Sequence, residues 1–161
     1  MAGAKLYYPD DTIQHAGVVV GLGGVAAHVL CKLPRDAEGY MGRLRCVQEI
    51  SAVTAACMMV KTSVFKAVGG FDEELKVAFN DIDLCMKVRK YGVKIVFTPY
   101  AELYHYESKS RGMEDTPEKQ LRFSREVNCF RRKWERELLK GDPYYNPNLT
   151  LNNTDCSLRK Q

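Results

Sequence analysis

The sequence shows neither a strong excess of one charge nor a long apolar run. Lys and Arg number 24 against 20 Asp and Glu, a net charge of +4. That falls short of the basic load of a dedicated nucleic-acid binder, so nucleic acid is set aside as a partner. The longest uncharged, largely apolar stretch, Ala16 to Cys31, is glycine-rich and shorter than the about 20 residues a spanning helix needs. Met1-Ala-Gly-Ala-Lys5 lacks the basic start and apolar run of a secretory leader. The six cysteines (31, 46, 57, 85, 129, 156) include no Cys-x-x-Cys spacing, and Cys57 and Cys85 sit inside apolar patterns. Reduced, mostly buried thiols are expected rather than a disulfide framework. The expected location is therefore cytoplasmic, and the Asn-x-Ser/Thr matches at Asn148 and Asn152 are read as accidental.

What is present is an ordinary globular composition. The 161 residues, 45% hydrophobic and 27% charged, suit one domain with a normal core. Residues 4–8 read as a strand closed by a turn at Pro9-Asp10-Asp11, and 12–20 as a second extended segment. Residues 21–46 read as irregular. Residues 49–60 read as an approach loop and a buried strand, and 62–68 as a short helix capped by Gly69-Gly70. A helix is expected from an Asn80 N-cap to Gly92. Strands at 93–98 and 101–107 are split by Pro99. Thr116-Pro117 starts a long C-terminal helix to about Lys140, with a buried stripe of Phe123, Val127, Phe130, Trp134 and Leu138. The tail after Gly141 is polar and read as loosely held. Interleaved strands and helices, too few for a complete doubly wound sheet, give an α/β or α+β class.

Four constellations carry chemistry. Gly21-x-Gly23-x-x-Ala26 matches a dinucleotide fingerprint. Pro34 stops any helix soon after it, and Asp36 and Glu38 fall in a polar loop, so a glycine-rich turn is the better reading. In Phe79-Asn80-Asp81-Ile82-Asp83-Leu84, Asp83 precedes Lys87 by four residues, which predicts a solvated ion-pair face. Asp81 falls instead on the side of Leu84, Cys85 and Val88, where a carboxylate is costly unless used, which makes it a candidate base. His105 shares a strand face with Leu103 and Glu107, and an imidazole with a carboxylate can form part of an open metal site. His15 and His28 have no such context. The last helix is rich in Lys and Arg, a solvated face by default, or a face for phosphates or an anionic membrane surface.

Gly69-Gly70-Phe71-Asp72-Glu73, Phe79-Asn80-Asp81-Ile82-Asp83-Leu84-Cys85, Tyr91-Gly92, Thr98-Pro99 and His105, in that order, resemble the C-terminal half of family 2 glycosyltransferases of the GT-A fold. The resemblance implies a partial GT-A-like mixed sheet with flanking helices, an acceptor-side unit over residues 1–149, and a polar tail over 150–161. It implies Asp81 as the catalytic base of an inverting sugar transfer from a nucleotide sugar to a hydroxyl of a glycan or lipid-linked acceptor. It places His105 near a divalent metal (Mg or Mn) and the diphosphate, and Thr54, Asn80 and Asp83 on the acceptor side. Asn80 stands where the family usually has Glu. The family's nucleotide-binding half and its Asp-x-Asp metal motif precede a strand like Gly3-Ala-Lys-Leu6, so the chain is expected to be a fragment, inactive alone. The alternative is a non-catalytic module that pairs or oligomerises through an exposed sheet edge.

Overall fold

The structure, a computed structural model, describes residues 1–106 and 116–160. Seven strands are present among them: β1 (Ala2–Tyr7), β2 (Ile13–His15), β3 (Val18–Val20), β4 (Ala26–His28), β5 (Gln48–Glu49), β6 (Met58–Met59) and β7 (Val96–Tyr104). The helices are α1 (Thr62–Ala67), α2 (Asn80–Lys90), α3 (Pro117–Lys133) and α4 (Glu135–Lys140). The main sheet runs β2-β1-β7-β5, with β6 also on β1. β1 and β7 are parallel and the other pairs antiparallel, while β3 and β4 form a separate two-stranded sheet. The class is mixed α/β with flanking helices, consistent with a partial GT-A-like fold.

The departures from sequence expectation have local causes. The 12–20 segment breaks at Gly17, whose φ of 108° turns the chain from the main sheet into the β3–β4 pair. The glycine-rich stretch from Gly21 is a tight turn, as expected, but it leads into strand β4 inside a stretch read as irregular. Pro99 does not end β7. Pairing with β1 instead slips there, from Ala4↔Thr98 to Lys5↔Glu102, because proline has no N–H to donate to the ladder. The buried strand expected within 49–60 is a two-residue pairing at Met58–Met59, with Met59 74% exposed. Glu107, expected at the end of the strand beyond Pro99, lies outside the described residues.

The C-terminal helix starts as its sequence dictates, Thr116 Oγ1 accepting the Lys119 N–H at 3.3 Å with Pro117 in the first turn. It breaks at Trp134 into α3 and α4. Phe130 and Trp134 are buried, Val127 and Leu138 partly so, and Phe123 is 43% exposed. The tail is docked, contrary to expectation. Tyr145, Leu149, Thr150 and Cys156 are buried, Leu149 bridges Leu158, and Leu151 and Thr154 accept the Gly23 and Leu30 amides. Satisfying backbone groups of the β3–β4 region fixes a segment whose polar composition suggested freedom. All six cysteines are free.

Candidate functional site

The backbone from Val53 to Ala56 passes between β2 and the first turns of α2 as an extended lead-in and a short turn. Each of its four successive amides is satisfied by a side chain. Val53 N–H reaches Cys85 Sγ at 3.4 Å, Thr54 N–H reaches His15 Nε2 at 3.4 Å, and Ala55 N–H reaches Asp81 Oδ2 at 3.0 Å. Ala56 N–H is taken by Thr54 Oγ1 at 3.3 Å, the cap of that turn. Val53 is buried, Thr54 partly so, and Ala55 and Ala56 are exposed; buried amides need such partners, and three of the four come from the sequence-distant α2 and β2. Burial, the dominant cause, pushes the Cys85 thiol up to about 12. It therefore stays protonated and also donates to the Val53 carbonyl at 3.5 Å.

Asp81 thus lies half-buried at the start of α2, its Oδ2 on Ala55 and its Oδ1 accepting the Ile82 N–H at 2.8 Å. A carboxylate in the first turn is favoured by the exposed amides and dipole there. The expected facing of the two aspartates is reversed. Asp83 has no exposed surface; it accepts the Trp134 indole N–H at 2.9 Å and pairs with Lys133 at 2.8 Å and Lys87 at 3.2 Å. The i,i+4 partner was legible, but Trp134 and Lys133 draw that side inward. So enclosed, Asp83 ties α2 to the end of α3 and has no surface open to solvent. Lys133 also pairs with Asp72, and Lys87 Nζ donates to the Gly70 carbonyl at 2.5 Å. The Gly69–Glu73 run is thereby tied to α2 and α3. Burial lowers the Lys133 pKa, but its bonds to Asp72 and Asp83 outweigh this and leave it raised; the Lys133 bond chiefly holds Asp72 below the usual carboxylate range.

Asn80 does not cap α2. It is the first helical residue, and the cap position is Phe79, in the left-handed region at φ 63° with no side-chain capping bond. A bulky residue there is strained. Two contacts hold it. The Phe79 ring packs on Phe123 and Phe130 at 5.8 and 5.3 Å between centroids. Glu126 on α3, 3% exposed, accepts the Val77 and Ala78 amides, both at 3.0 Å. The last helix therefore sets the entry to α2. His15, Cys85 and Glu126 were missed as positioning groups because their partners are backbone amides, which leave no trace in residue spacing.

His105 stands beyond the end of β7, its N–H on the Tyr7 carbonyl at 3.0 Å and its Nδ1 2.8 Å from Gln14 Oε1. Its expected companion Glu107 lies outside the described residues. Among the described residues no three His, Cys, Asp or Glu side chains group to hold a metal. Mg and Mn favour an oxygen-rich shell. The one remaining ring nitrogen of His105 does not fit such an ion by itself. Among the described residues no helix is long and apolar enough to cross a membrane.

Three relatives are informative. The chain is 59% identical over 157 residues to the uncharacterized protein y4gI of Sinorhizobium fredii (strain NBRC 101917 / NGR234), covering 97% of this chain and 17% of that protein. It is 40% identical over 159 residues to the O-antigen biosynthesis protein RfbC of Myxococcus xanthus, covering 98% of this chain and 12% of that protein. Over 62 residues it is 36% identical to an N-acetylglucosaminyl-diphospho-decaprenol L-rhamnosyltransferase of Mycobacterium tuberculosis (strain ATCC 25618 / H37Rv), covering 38% of this chain and 20% of that protein. The chain thus spans under a fifth of the length of the first two. No family model and no solved structure matches.

Proposed function

We propose that this chain forms the acceptor side of an inverting glycosyltransferase site, with Asp81 as general base. The acceptor hydroxyl oxygen attacks the anomeric carbon of a nucleotide sugar as its proton passes to the Asp81 carboxylate. The new C–O bond forms on the face opposite the departing oxygen, and the nucleoside diphosphate leaves with the electron pair of the broken bond. The donor nucleotide and a divalent metal are assigned to residues outside these 161, with His105 lying toward the diphosphate. Thr54 and Asn80 border Asp81 and are assigned to acceptor contact. A glycan or lipid-linked glycan is the proposed acceptor.

The observation that supports this most directly is Asp81 itself. Its carboxylate is partly open to solvent and aimed by the Ala55 amide, while neighbouring Asp83 is consumed by the scaffold. The Mycobacterium relative is named as a rhamnosyltransferase and the Myxococcus one for O-antigen biosynthesis, which supports sugar transfer as the reaction.

The test compares natural-length protein with its Asp81→Asn variant, incubated with a panel of radiolabelled nucleotide sugars and membranes from the source cell. Asn retains an oxygen for the Ala55 amide but accepts no proton. Incorporation should fall by about 10²–10⁴-fold with unchanged circular dichroism. Wild-type incorporation by the variant would remove Asp81 as the base.

A further inference from the structure

β2 and the aspartate-bearing helix meet on adjacent amides of one turn. Thr54 N–H points to His15 Nε2 at 3.4 Å, and the next amide, Ala55 N–H, to Asp81 Oδ2 at 3.0 Å. His15 is completely enclosed, edge-on to His28 with ring centroids 4.8 Å apart. The Gln14 carbonyl, reached by Cys31 Sγ at 3.1 Å, accepts from His28 Nδ1 at 3.0 Å, so His28 carries its hydrogen there and the 3.4 Å approach of its Nδ1 to His15 Nδ1 is a ring contact rather than a hydrogen bond. An imidazole can take an amide proton at Nε2 only when neutral, with its own hydrogen on Nδ1. Packing alone would require a ring of that shape, whereas this geometry requires a lone pair at one stated atom.

We infer that His15 is a positioning residue for Asp81: as the neutral Nδ1–H tautomer it holds the Thr54 amide and so fixes the turn on which the Asp81 carboxylate is aimed. The inference rests on the reading of Asp81 as base for its functional meaning, but not for its geometry. With His15 unable to accept, the Thr54 amide is left without its partner, and the one-residue link to Ala55 carries the displacement to Asp81. Val53 remains pinned by Cys85, so the disturbance runs toward Asp81 rather than away from it.

The test is nitrogen-detected NMR of the 161-residue chain with hydrogen exchange on two variants. In the wild type, His15 should show the Nδ1–H tautomer with Nε2 as an acceptor. In His15→Leu, the Thr54 and Ala55 amides should exchange at least about tenfold faster, while β1 and α2 amides keep their protection. His15→Gln, which restores an acceptor oxygen, should recover most of the protection. An Nε2–H tautomer, unchanged exchange in His15→Leu, or a glutamine variant as exposed as the leucine one would each overturn the inference. The tautomer measurement stands if His15→Leu does not fold. None of these readings uses sugar transfer, so a failure of Asp81 as base shows up separately, in full transfer by Asp81→Asn.

Discussion

Trp134 donates its indole N–H to Asp83 Oδ1 at 2.9 Å, across 51 residues of chain. The break between α3 and α4 falls at Trp134, so the helix interruption and the anchoring of α2 are one feature. Lys133 and Lys87 complete the enclosure of the carboxylate. Removing an enclosed carboxylate strands its cations and the indole N–H. Lys133 and Lys87 keep 33% and 19% of their side-chain surface exposed, which softens the loss. Asp83→Ala should therefore destabilise by about 2–4 kcal/mol. Urea unfolding followed by the single tryptophan reads both the stability and the environment of that contact. A loss under about 1 kcal/mol would contradict the assignment of Asp83 to the scaffold.

Glu126 accepts two consecutive amides ahead of a strained Phe79. Glu126→Ala leaves both without that partner, and Glu126→Gln leaves one. The alanine variant should lose about 2–4 kcal/mol and the glutamine variant roughly half as much. Hydrogen exchange at Val77 and Ala78 should rise in the same order. Equal exchange in all three proteins would mean that α3 does not set the entry to α2.

Much of this arrangement follows local rules and was legible. The Thr116–Pro117 helix start, the Gly69–Gly70 turn after α1 and the span of α2 each depend on residues a few positions apart. What was not legible depends on tertiary partners. Helical spacing put Asp83 outward with Lys87, and that pair exists, but Trp134 and Lys133 place it inside. Asn80 has the right chemistry for a cap, yet Glu126 and the Phe79–Phe130 contact move the cap back by one residue. His15 looked contextless because its partner is a backbone amide 39 residues on.

His15 also predicts a pH dependence. Burial, reinforced by His28, holds its imidazole well below the ordinary histidine range of about 6.5. The unfolded state therefore binds a proton that the folded state refuses. The associated stability is present above pH about 6.5 and is lost as pH falls toward the depressed folded value. The slope approaches about 1.4 kcal/mol per pH unit. Urea unfolding at pH 7.5 and 5.5 (about two units apart) should show this drop in the wild type and a much smaller one in His15→Gln. Parallel pH profiles for the two proteins would exclude His15 as its source.

Gly3 connects β1 to the same turn. A Cβ at Gly3 would lie 2.4 Å from Val53 Cγ1, well inside van der Waals contact. Val53 cannot simply retreat, because Cys85 holds both its amide and its carbonyl. Gly3→Ala should therefore destabilise by about 1–3 kcal/mol through overpacking, and Val53→Ala by about 2 kcal/mol through the cavity it opens. In the double variant the added methyl no longer meets the two valine methyls at 2.4 and 3.0 Å, and only the Cβ that alanine keeps at position 53, 2.5 Å away, still presses on it. The double variant's loss should fall short of the sum of the single losses by about 1 kcal/mol or more. Simple additivity in urea unfolding would mean that β1 and the Val53–Ala56 segment do not press on one another, and that the turn whose Ala55 amide meets Asp81 is held by its hydrogen bonds alone.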